Sequence, residues 1–461
     1  MAKQREPRTA PQHIAPPQAE RPVLSDVPQF LLLEQEVERE YRPQMLAALE
    51  EKVNEVVERS RACLPTCPDC ERSMRHHDTR RVSWIARFGR VVAWVPRYRC
   101  GQCGQDRRPV LEQLGVEPGR ISGSLARLLA LLAVVAPYPL AAQLAWLLLG
   151  VKVSPMGVWR VAQRMGEAAA SYSEGLSKYH SDSRSNPTLA QAAPGVVVLG
   201  VDGCVLGMQV RQGRRRLQAE GSPEPLPAVE TGHFREVKTG VLLLPSERVE
   251  TSPGRRSLVR RFLVSCLGDA DTVFSLLWAR LRELGWLGTH TVVVIIGDGA
   301  EWIWKRAAMF PQRCEILDFW HAVEHAWEFA RLSQGEASRQ AERWVHTIAE
   351  DLRAGKVQSV ICRLERMRPR SPEARESLDA LIRYYRENAS RMRYDEYLRL
   401  GYGIGSGAVE SAHKQVVHAR FRQAGMRWSE AGARRLLALR LLLLNEDWGL
   451  LNQLRMVRLA A

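Results

Sequence analysis

Three acidic residues in three separate settings define the chemistry that this sequence suggests. Asp202 ends the apolar run at 196–201, and Asp298 ends a second such run at 292–296. Both runs are typical of buried β-strands, so each predicts a carboxylate at the edge of a sheet. Glu410 lies in GSGAVESAHK, where a glycine-rich turn precedes a predicted helix. Brought together, two aspartates and a glutamate could hold two Mg²⁺ ions for phosphoryl transfer.

Each of these acids also has an ordinary structural explanation. Asp202-Gly203 and Asp298-Gly299 are common turn dipeptides, and Glu410 could be an exposed helix residue. Two features favour the chemical role. A charge that follows a fully apolar run needs a partner such as a metal, and basic residues near Glu410 would attract a phosphate backbone. Those basic residues are His413, Lys414, His418, Arg420, Arg422 and Arg427.

A further polar pair follows a short predicted strand at 314–317. Asp318 is predicted to cap the next helix, with His321 stacked beside it. Alternatively, Asp318 and His321 support the metal ligands or position DNA. The sequence leaves both interpretations open.

Composition narrows the class of partner. The chain has 461 residues, enough for about two to four domains. Its formal net charge is +15, with arginine the commonest cation, which favours contact with phosphate and hence a nucleic-acid partner. Nine cysteines, an odd number without a leader-like start, favour a reducing cytosol and metal binding over disulfides.

Two CxxC pairs give the strongest local signal. Cys67 and Cys70 precede a predicted hairpin, and Cys100 and Cys103 follow it. Four thiolates from two such turns form a closed tetrahedral Zn²⁺ site, without which so small a hairpin has too little core to fold. We therefore predict a zinc ribbon at 63–110 with a structural metal, and Cys63 is an alternative ligand.

Helical patterns flank this ribbon. Residues 23–62 predict an amphipathic helix that either dimerises or packs on the body, with a kink or break at Arg42-Pro43. Residues 111–180 predict a helical DNA-binding domain, with helices at 140–149 and 156–165 spaced as in a helix-turn-helix. The uncharged segment 128–151 is interrupted by Pro137-Tyr138-Pro139, which favours two helices over a membrane span.

The rest of the chain divides by composition. Residues 1–22 predict a disordered tail, 181–195 a linker and 212–230 a flexible loop. Strands and a helix fill 196–319, charged helices fill 320–402, and the Glu410 segment occupies 403–461. Trp428 lies among arginines and is predicted to be a core residue, or else to stack on an unpaired base.

Linked motifs in the second half of the chain resemble a known family. GDGAEWIW, ILDFWHAVEHAW, GIGSGAVESAHKQVV and RFRQAGMRWSEAGARRLLALR follow one another in this order. Together they resemble bacterial insertion-sequence transposases of the ISKra type, which are related to Mutator-like transposases. The resemblance covers roughly 196–448, and a cysteine-rich N-terminal segment is compatible with it.

The resemblance implies a fold and a catalytic triad. The expected fold class is α/β, an RNase H-like catalytic domain with an all-α insertion, preceded by the zinc ribbon and the helix-turn-helix-like domain. Asp202, Asp298 and Glu410 would be the DDE triad, with Asp269 or Asp271 as the fallback for the first aspartate. Asp318 and His321 match the family's Asp-x-x-His pair, and 320–400 matches its helical insertion.

The implied function is DNA transposition, in which insertion-sequence ends are cut and joined to a target with two Mg²⁺ or Mn²⁺ ions. The partner would be double-stranded DNA, bound by a homo-oligomer in the bacterial cytoplasm near the nucleoid, with no membrane involved. Two alternatives remain, a catalytically silent DNA-binding protein and an RNase H-like nuclease without strand transfer. The predicted DNA contacts are Arg160, Arg164, His413, Lys414, Arg420, Arg422, Arg427 and Trp428.

Overall fold

A computed structural model gives a mixed α/β protein. It describes residues 28–117, 120–182, 193–209, 233–252, 255–258, 260–335 and 338–454. The predicted tail at 1–22, the predicted loop at 212–230 and most of the predicted linker at 181–195 lie outside these residues.

The N-terminal unit pairs one long helix with a hairpin. Helix α1 (Gln29–Arg61) continues through Pro43 without a break, so the predicted helix forms and is not split. Its second half buries Val53 and Val57 against the hairpin of β1 (Arg75–Ala86) and β2 (Gly89–Arg99). Apolar side chains of its first half, such as Phe30 and Val37, stay exposed. The second half of the helix therefore packs on the hairpin, whereas the first half contacts the body through Arg42, which donates to the Leu149 carbonyl at 2.8 Å.

Short elements complete this small sheet. They are β3 (Asp106–Arg107), α2 (Pro109–Gln113), β4 (Val116–Glu117) and β5 (Ile121–Ser122). The strand order is β3-β2-β1-β5-β4. Strand β5 leads directly into the helical region that follows.

Three helices follow: α3 (Gly123–Val135), α4 (Tyr138–Leu149) and α5 (Pro155–Asp182). Pro137 separates α3 from α4, as predicted, and no helix in the described part of the chain is long and apolar enough to cross a membrane. Gly150 ends α4 with a φ of 64°, and the Ser154 hydroxyl accepts a hydrogen bond from the Gly157 N–H at the start of α5. Helix α5 has 28 residues, far more than the second helix predicted at 156–165.

A continuous hydrophobic core joins this helical region to the rest of the protein. It runs from Ile121 to Leu451, so the predicted linker does not separate two cores. Helix α5 lies so close to α15 (Glu430–Leu444) that Gly166 abuts the backbone of Arg435. The Glu167 carboxylate binds both Arg434 and Arg435 across the same contact.

The large sheet has five strands in the order β10-β7-β6-β11-β12. Strands β6 (Val196–Gly207), β7 (Phe234–Leu243) and β10 (Phe262–Leu267) are antiparallel, whereas β11 (Val292–Gly297) and β12 (Arg313–Leu317) run parallel to β6. Strand β6 continues past the predicted apolar run at 196–201 and ends at Gly207. Strand β10 and the hairpin of β8 (Arg248–Ser252) and β9 (Arg255–Leu258) are not predicted from the sequence.

Helices connect and follow these strands. Helix α6 (Ala270–Glu283) precedes β11, and α7 (Glu301–Ala307) lies between β11 and β12. The predicted helical segment then forms α8 (Phe319–Gln334), α9 (Arg339–Arg353), α10 (Val357–Glu365), α11 (Pro372–Asn388) and α12 (Tyr394–Arg399). Glu410 lies on α13 (Gly407–His413), which continues into a π-helical turn at Lys414–His418, α14 (Ala419–Phe421) and α15.

Candidate active site and metal centre

The two aspartates of the predicted triad come from neighbouring elements of the large sheet. Strands β6 and β11 are adjacent and parallel, with Ile296 paired to Gly200; Asp202 lies on β6, and Asp298 directly follows the end of β11 at Gly297. Neighbouring strands lie about 4.8 Å apart, and side chains two residues apart share one face of a sheet. Asp202 and Asp298 are both partly exposed, so this part of the sheet offers two accessible carboxylates.

The helix that carries Glu410 covers the same face of the sheet. Gly200 approaches Val409 so closely that a Cβ on Gly200 would lie 3.5 Å from it. Asp202 shares the face of Gly200 because the two residues are two positions apart. Nδ1 of His413 lies 3.3 Å from Oδ2 of Asp202, which fixes α13 beside that carboxylate. Glu410 itself is exposed.

The turn after β11 fixes the backbone of Asp298. The Asp298 carboxylate accepts a hydrogen bond from the Ala300 N–H at 3.0 Å, and Gly299 has a φ of 100°, a conformation that favours glycine. Tyr384 of α11 donates its hydroxyl to the Asp298 carbonyl at 2.7 Å. Burial, with the nearby charges of Asp298 and Asp318, raises the pKa of Tyr384, so the hydroxyl remains a donor. No sequence signal identifies this contact.

Asp318 connects β12 to the segment that carries Glu410. It is buried, and its Oδ1 accepts hydrogen bonds from the N–H groups of Trp320 (2.7 Å) and His321 (3.4 Å) at the start of α8. Its Oδ2 accepts from both the N–H and the hydroxyl of Ser406. The Ser406 hydroxyl also lies 3.3 Å from Oε1 of Glu410. Asp318 therefore caps a helix, as predicted, and also holds the turn before α13.

His321 is placed differently from Asp318. Its side chain is partly exposed, with Nδ1 3.5 Å from Glu324 and its ring centre 5.0 Å from that of His325. The His325 ring lies 4.3 Å from that of Tyr384. His321 therefore lies at the surface, next to the His325 ring that contacts Tyr384, whereas the Asp318 side chain is buried.

Replacing Asp318 by Ala is expected to lower stability and to loosen the turn that leads into α13. The change removes a helix cap and the acceptor of Ser406, at a cost of about 1–3 kcal/mol. Ser338→Ala is a control, because the Ser338 hydroxyl caps α9 by accepting from the N–H groups of Gln340 and Ala341.

The comparison separates a structural role from a positioning role. Both variants should lose stability in thermal unfolding, but only Asp318→Ala should lower the hydrogen-exchange protection of α13. Equal protection of α13 in the two variants would show that Asp318 does not position Glu410.

The predicted DNA contacts divide into exposed and buried residues. Arg160, Lys414, Arg422 and Arg427 are exposed, and Arg164 is partly exposed. His413, Arg420 and Trp428 are buried, so they present no open surface to a DNA duplex, and their assignment as DNA contacts remains a prediction. His413 faces Asp202, and the Trp428 indole donates to the Phe421 carbonyl at 2.9 Å, which agrees with the core alternative for this tryptophan.

Arg420 is buried because it caps a helix. Its Nε donates to the carbonyl of Ala133 at 2.8 Å in the last turn of α3, where the partial negative charge of the helix end favours a cation. Its guanidinium lies 5.2 Å from the ring centres of both Tyr138 and Trp428. Sequence periodicity does not distinguish such a cation from an exposed one in the same arginine-rich segment.

The four cysteines of the CxxC pairs converge at one point. Their four Sγ atoms all lie within 4.8 Å of one another. In the described part of the chain, no other set of three or more His, Cys, Asp or Glu ligand atoms is grouped in this way. Cys70 Sγ lies 3.5 Å from that of Cys67, 3.4 Å from that of Cys100 and 3.6 Å from that of Cys103. Four thiolates around one zinc would lie about 3.8 Å apart, so the cluster could hold a structural metal such as zinc. Cys63 is exposed and is not part of the cluster.

The two CxxC turns have the same backbone hydrogen-bond pattern. The N–H of Glu71 donates to the Cys67 carbonyl at 2.9 Å, and the N–H of Gly104 donates to the Cys100 carbonyl at 3.0 Å. Both donors have a positive φ, 53° and 72°. Hydrogen bonds from the backbone N–H groups of Cys103 and Gln102 lower the pKa of Cys100 to about 6, which favours the thiolate that a metal needs.

The acidic site is more open than the cysteine cluster. In the described part of the chain, the carboxylate oxygens of Asp202, Asp298 and Glu410 do not all lie within 4.8 Å of one another, as the four cysteine sulfurs do. Asp202 lies on the sheet face that α13 covers, and the Glu410 side chain is linked through Ser406 to Asp318 at the end of β12. A scan of protein-family models finds none that matches this chain, and no curated protein matches it in sequence.

Proposed function

We propose that this protein is a DNA transposase that binds insertion-sequence ends and catalyses Mg²⁺-dependent strand cleavage and strand transfer. One observation carries the proposal most directly. Asp202 on β6 and Asp298 directly after β11 come from adjacent parallel strands, and the helix with Glu410 covers the face on which Asp202 lies. This arrangement supports the proposal that three carboxylates from distant parts of the sequence act at one site.

The sheet supports an RNase H-like catalytic domain. Three antiparallel strands are followed by two strands that add in parallel on the other side of the first, in the order β10-β7-β6-β11-β12. An RNase H-like domain has this order. Between β12 and α13 the chain inserts helices α8 to α12, the position and class expected for the all-α insertion.

The site residues have distinct roles in this proposal. Asp202 would hold both Mg²⁺ ions, with Asp298 and Glu410 each holding one, because carboxylate oxygens suit this hard cation. The ions, when bound, activate water or a 3′-hydroxyl and stabilise the leaving oxygen. His413 orients Asp202, and Ser406 with Asp318 orients the Glu410 helix. The exposed cations Lys414 and Arg422 would attract the DNA backbone.

End recognition would use the zinc ribbon and the α4–α5 pair. Arg160 is exposed on α5, the second helix of the predicted helix-turn-helix. Phosphate contacts would fix the register of the protein, and base contacts would select the sequence. Because the α4–α5 pair shares its core with the large sheet, it would hold DNA at a fixed position relative to the three acids.

Cleavage and joining of DNA that carries the element's own ends, with Mg²⁺ or Mn²⁺, tests this function. A transposase should nick the ends and join them to target DNA. Nicking without joining would favour a nuclease, and binding without either reaction would favour a catalytically silent DNA-binding protein.

A further inference from the structure

An open cleft of about 500 Å³ lies between the helical region and the segment after α14. Its lining includes Tyr138 from α4, Trp159 and Gln163 from α5, and Arg420. Gln209, just beyond β6, also lines it. The Trp428 N–H donates to the Gly207 carbonyl at 3.2 Å, and the Gln209 N–H donates to the Trp428 carbonyl at 2.8 Å. The cleft therefore lies at the end of the strand that carries Asp202.

A buried donor in this lining lacks a partner within the described part of the chain. It is Nη2 of Arg420, a residue that is 0% exposed. Nε2 of Gln163 and the hydroxyl of Tyr138 make no close hydrogen bond in this part of the chain either, but the two groups lie near each other: burial raises the pKa of Tyr138, and the contact with Gln163 opposes that rise. Buried donors are nearly always bonded in proteins, so the Arg420 nitrogen indicates an absent acceptor.

The charge of the cleft is positive. Arg420 supplies a buried cation to its lining. The exposed Arg427 adds another cation to the lining, and the described residues that line the cleft include no carboxylate. A ligand that satisfies these donors would best be an anion.

Two helices also direct their N-termini at the cleft. Helix α4 begins at Tyr138 behind Pro137, which provides no side-chain cap, and both residues line the cleft. Helix α15 begins behind Ser429, which also lines the cleft and whose hydroxyl already accepts from the Gly432 N–H at 3.2 Å, so α4 is the uncapped one of the two. Free N–H groups and the positive end of the helix dipole favour a phosphate at such a position.

We propose that this cleft binds a backbone phosphate of nucleic acid, with the partly exposed ring of Trp159 stacking on a neighbouring base. The choice of nucleic acid over a free phosphate rests on the proposed function. Seven strand residues separate Asp202 from Gln209, which corresponds to roughly 23 Å. The bound phosphate would thus lie a few nucleotides from the bond that is cut.

Calorimetric titration with inorganic phosphate, repeated with a short single-stranded oligothymidylate as competitor, tests the proposal. Gln163→Leu and Tyr138→Phe each remove one donor and spare the Arg420 cap, so the fold should persist. Each is expected to weaken phosphate binding by about tenfold, the usual effect of a lost hydrogen bond to a charged group. Gln340→Leu, an exposed change on α9, should leave it unchanged.

The outcomes separate this cleft from the catalytic proposal. Unaltered phosphate binding in Gln163→Leu and Tyr138→Phe, or no phosphate binding by the wild type, would overturn the site. Phosphate binding without competition by the oligonucleotide would overturn the assignment to nucleic acid. Asp298→Ala should bind both probes like the wild type, so a failure of catalysis and a failure of the cleft are distinguishable.

Discussion

Replacing Asp298 by Asn or Glu410 by Gln is expected to lower the rate of Mg²⁺-dependent DNA cleavage by about a thousandfold. Each change removes one negative ligand and keeps the size of the side chain. A metal that stabilises developing charge contributes several kcal/mol to the barrier, and about 4 kcal/mol corresponds to a thousandfold change in rate. The measurement is the single-turnover rate of nicking on DNA that carries the element's ends.

Binding to the same DNA should survive these substitutions. Both carboxylates are accessible, and removing a negative charge beside phosphates lowers repulsion. Glu301→Gln is a matched control, because Glu301 lies three residues after Asp298 and pairs with Lys305 at the surface. It should cut at the wild-type rate. Nicking rates within about tenfold of the wild-type rate in both Asp298→Asn and Glu410→Gln would contradict the proposal that Asp202, Asp298 and Glu410 hold the catalytic metal ions.

The sequence places the acids on their elements but not against one another. Apolar runs that end in Asp202 and Asp298 predict two strands because continuous apolar stretches are typical of buried parallel strands. Their adjacency depends on strand order, which local pattern does not contain. The contact of His413 with Asp202 likewise requires α13 to cross the sheet, and a histidine among basic residues is predicted as a DNA contact instead.

The sequence does not reveal which cations of the arginine-rich segment are buried. Arg420, Arg422 and Arg427 have similar local surroundings, yet Arg420 alone of the three is buried. Its partner is a carbonyl at the end of α3, 287 residues away in the chain. A helix end needs a donor, and the sequence does not reveal which distant cation supplies it.

The cysteine cluster is predicted more completely. The CxxC spacing fixes two turns, and the hairpin between them brings the turns together, so the ligand set follows from local rules. Pairing of Arg75 with Arg99 at the base of the hairpin places Cys70 and Cys100 on neighbouring chain segments. The sequence leaves open only whether Cys63 replaces a ligand, and the geometry places it outside the cluster.

Replacing Cys67 by Ser is expected to remove bound zinc and to unfold the hairpin of the N-terminal unit, while the large sheet remains folded. The core around the cluster is small, with Cys67, Met74, Tyr98 and Cys100 as its buried members, and it is separate from the main core. Structural zinc supplies about 10–16 kcal/mol of apparent binding free energy at neutral pH, more than so small a core can replace. Zinc content and hydrogen exchange of β1 and β2 measure the effect.

Cys63→Ser distinguishes loss of a metal ligand from loss of a thiol. Cys63 lies four residues before Cys67, is exposed and does not belong to the cluster, so its variant should keep one zinc per chain and the exchange protection of the wild type. A chelator should reproduce the Cys67→Ser result in the wild-type protein. Full protection of the hairpin in metal-free protein would mean that α1 and the strand pairing hold this unit without the metal, and the cysteines would then have another role.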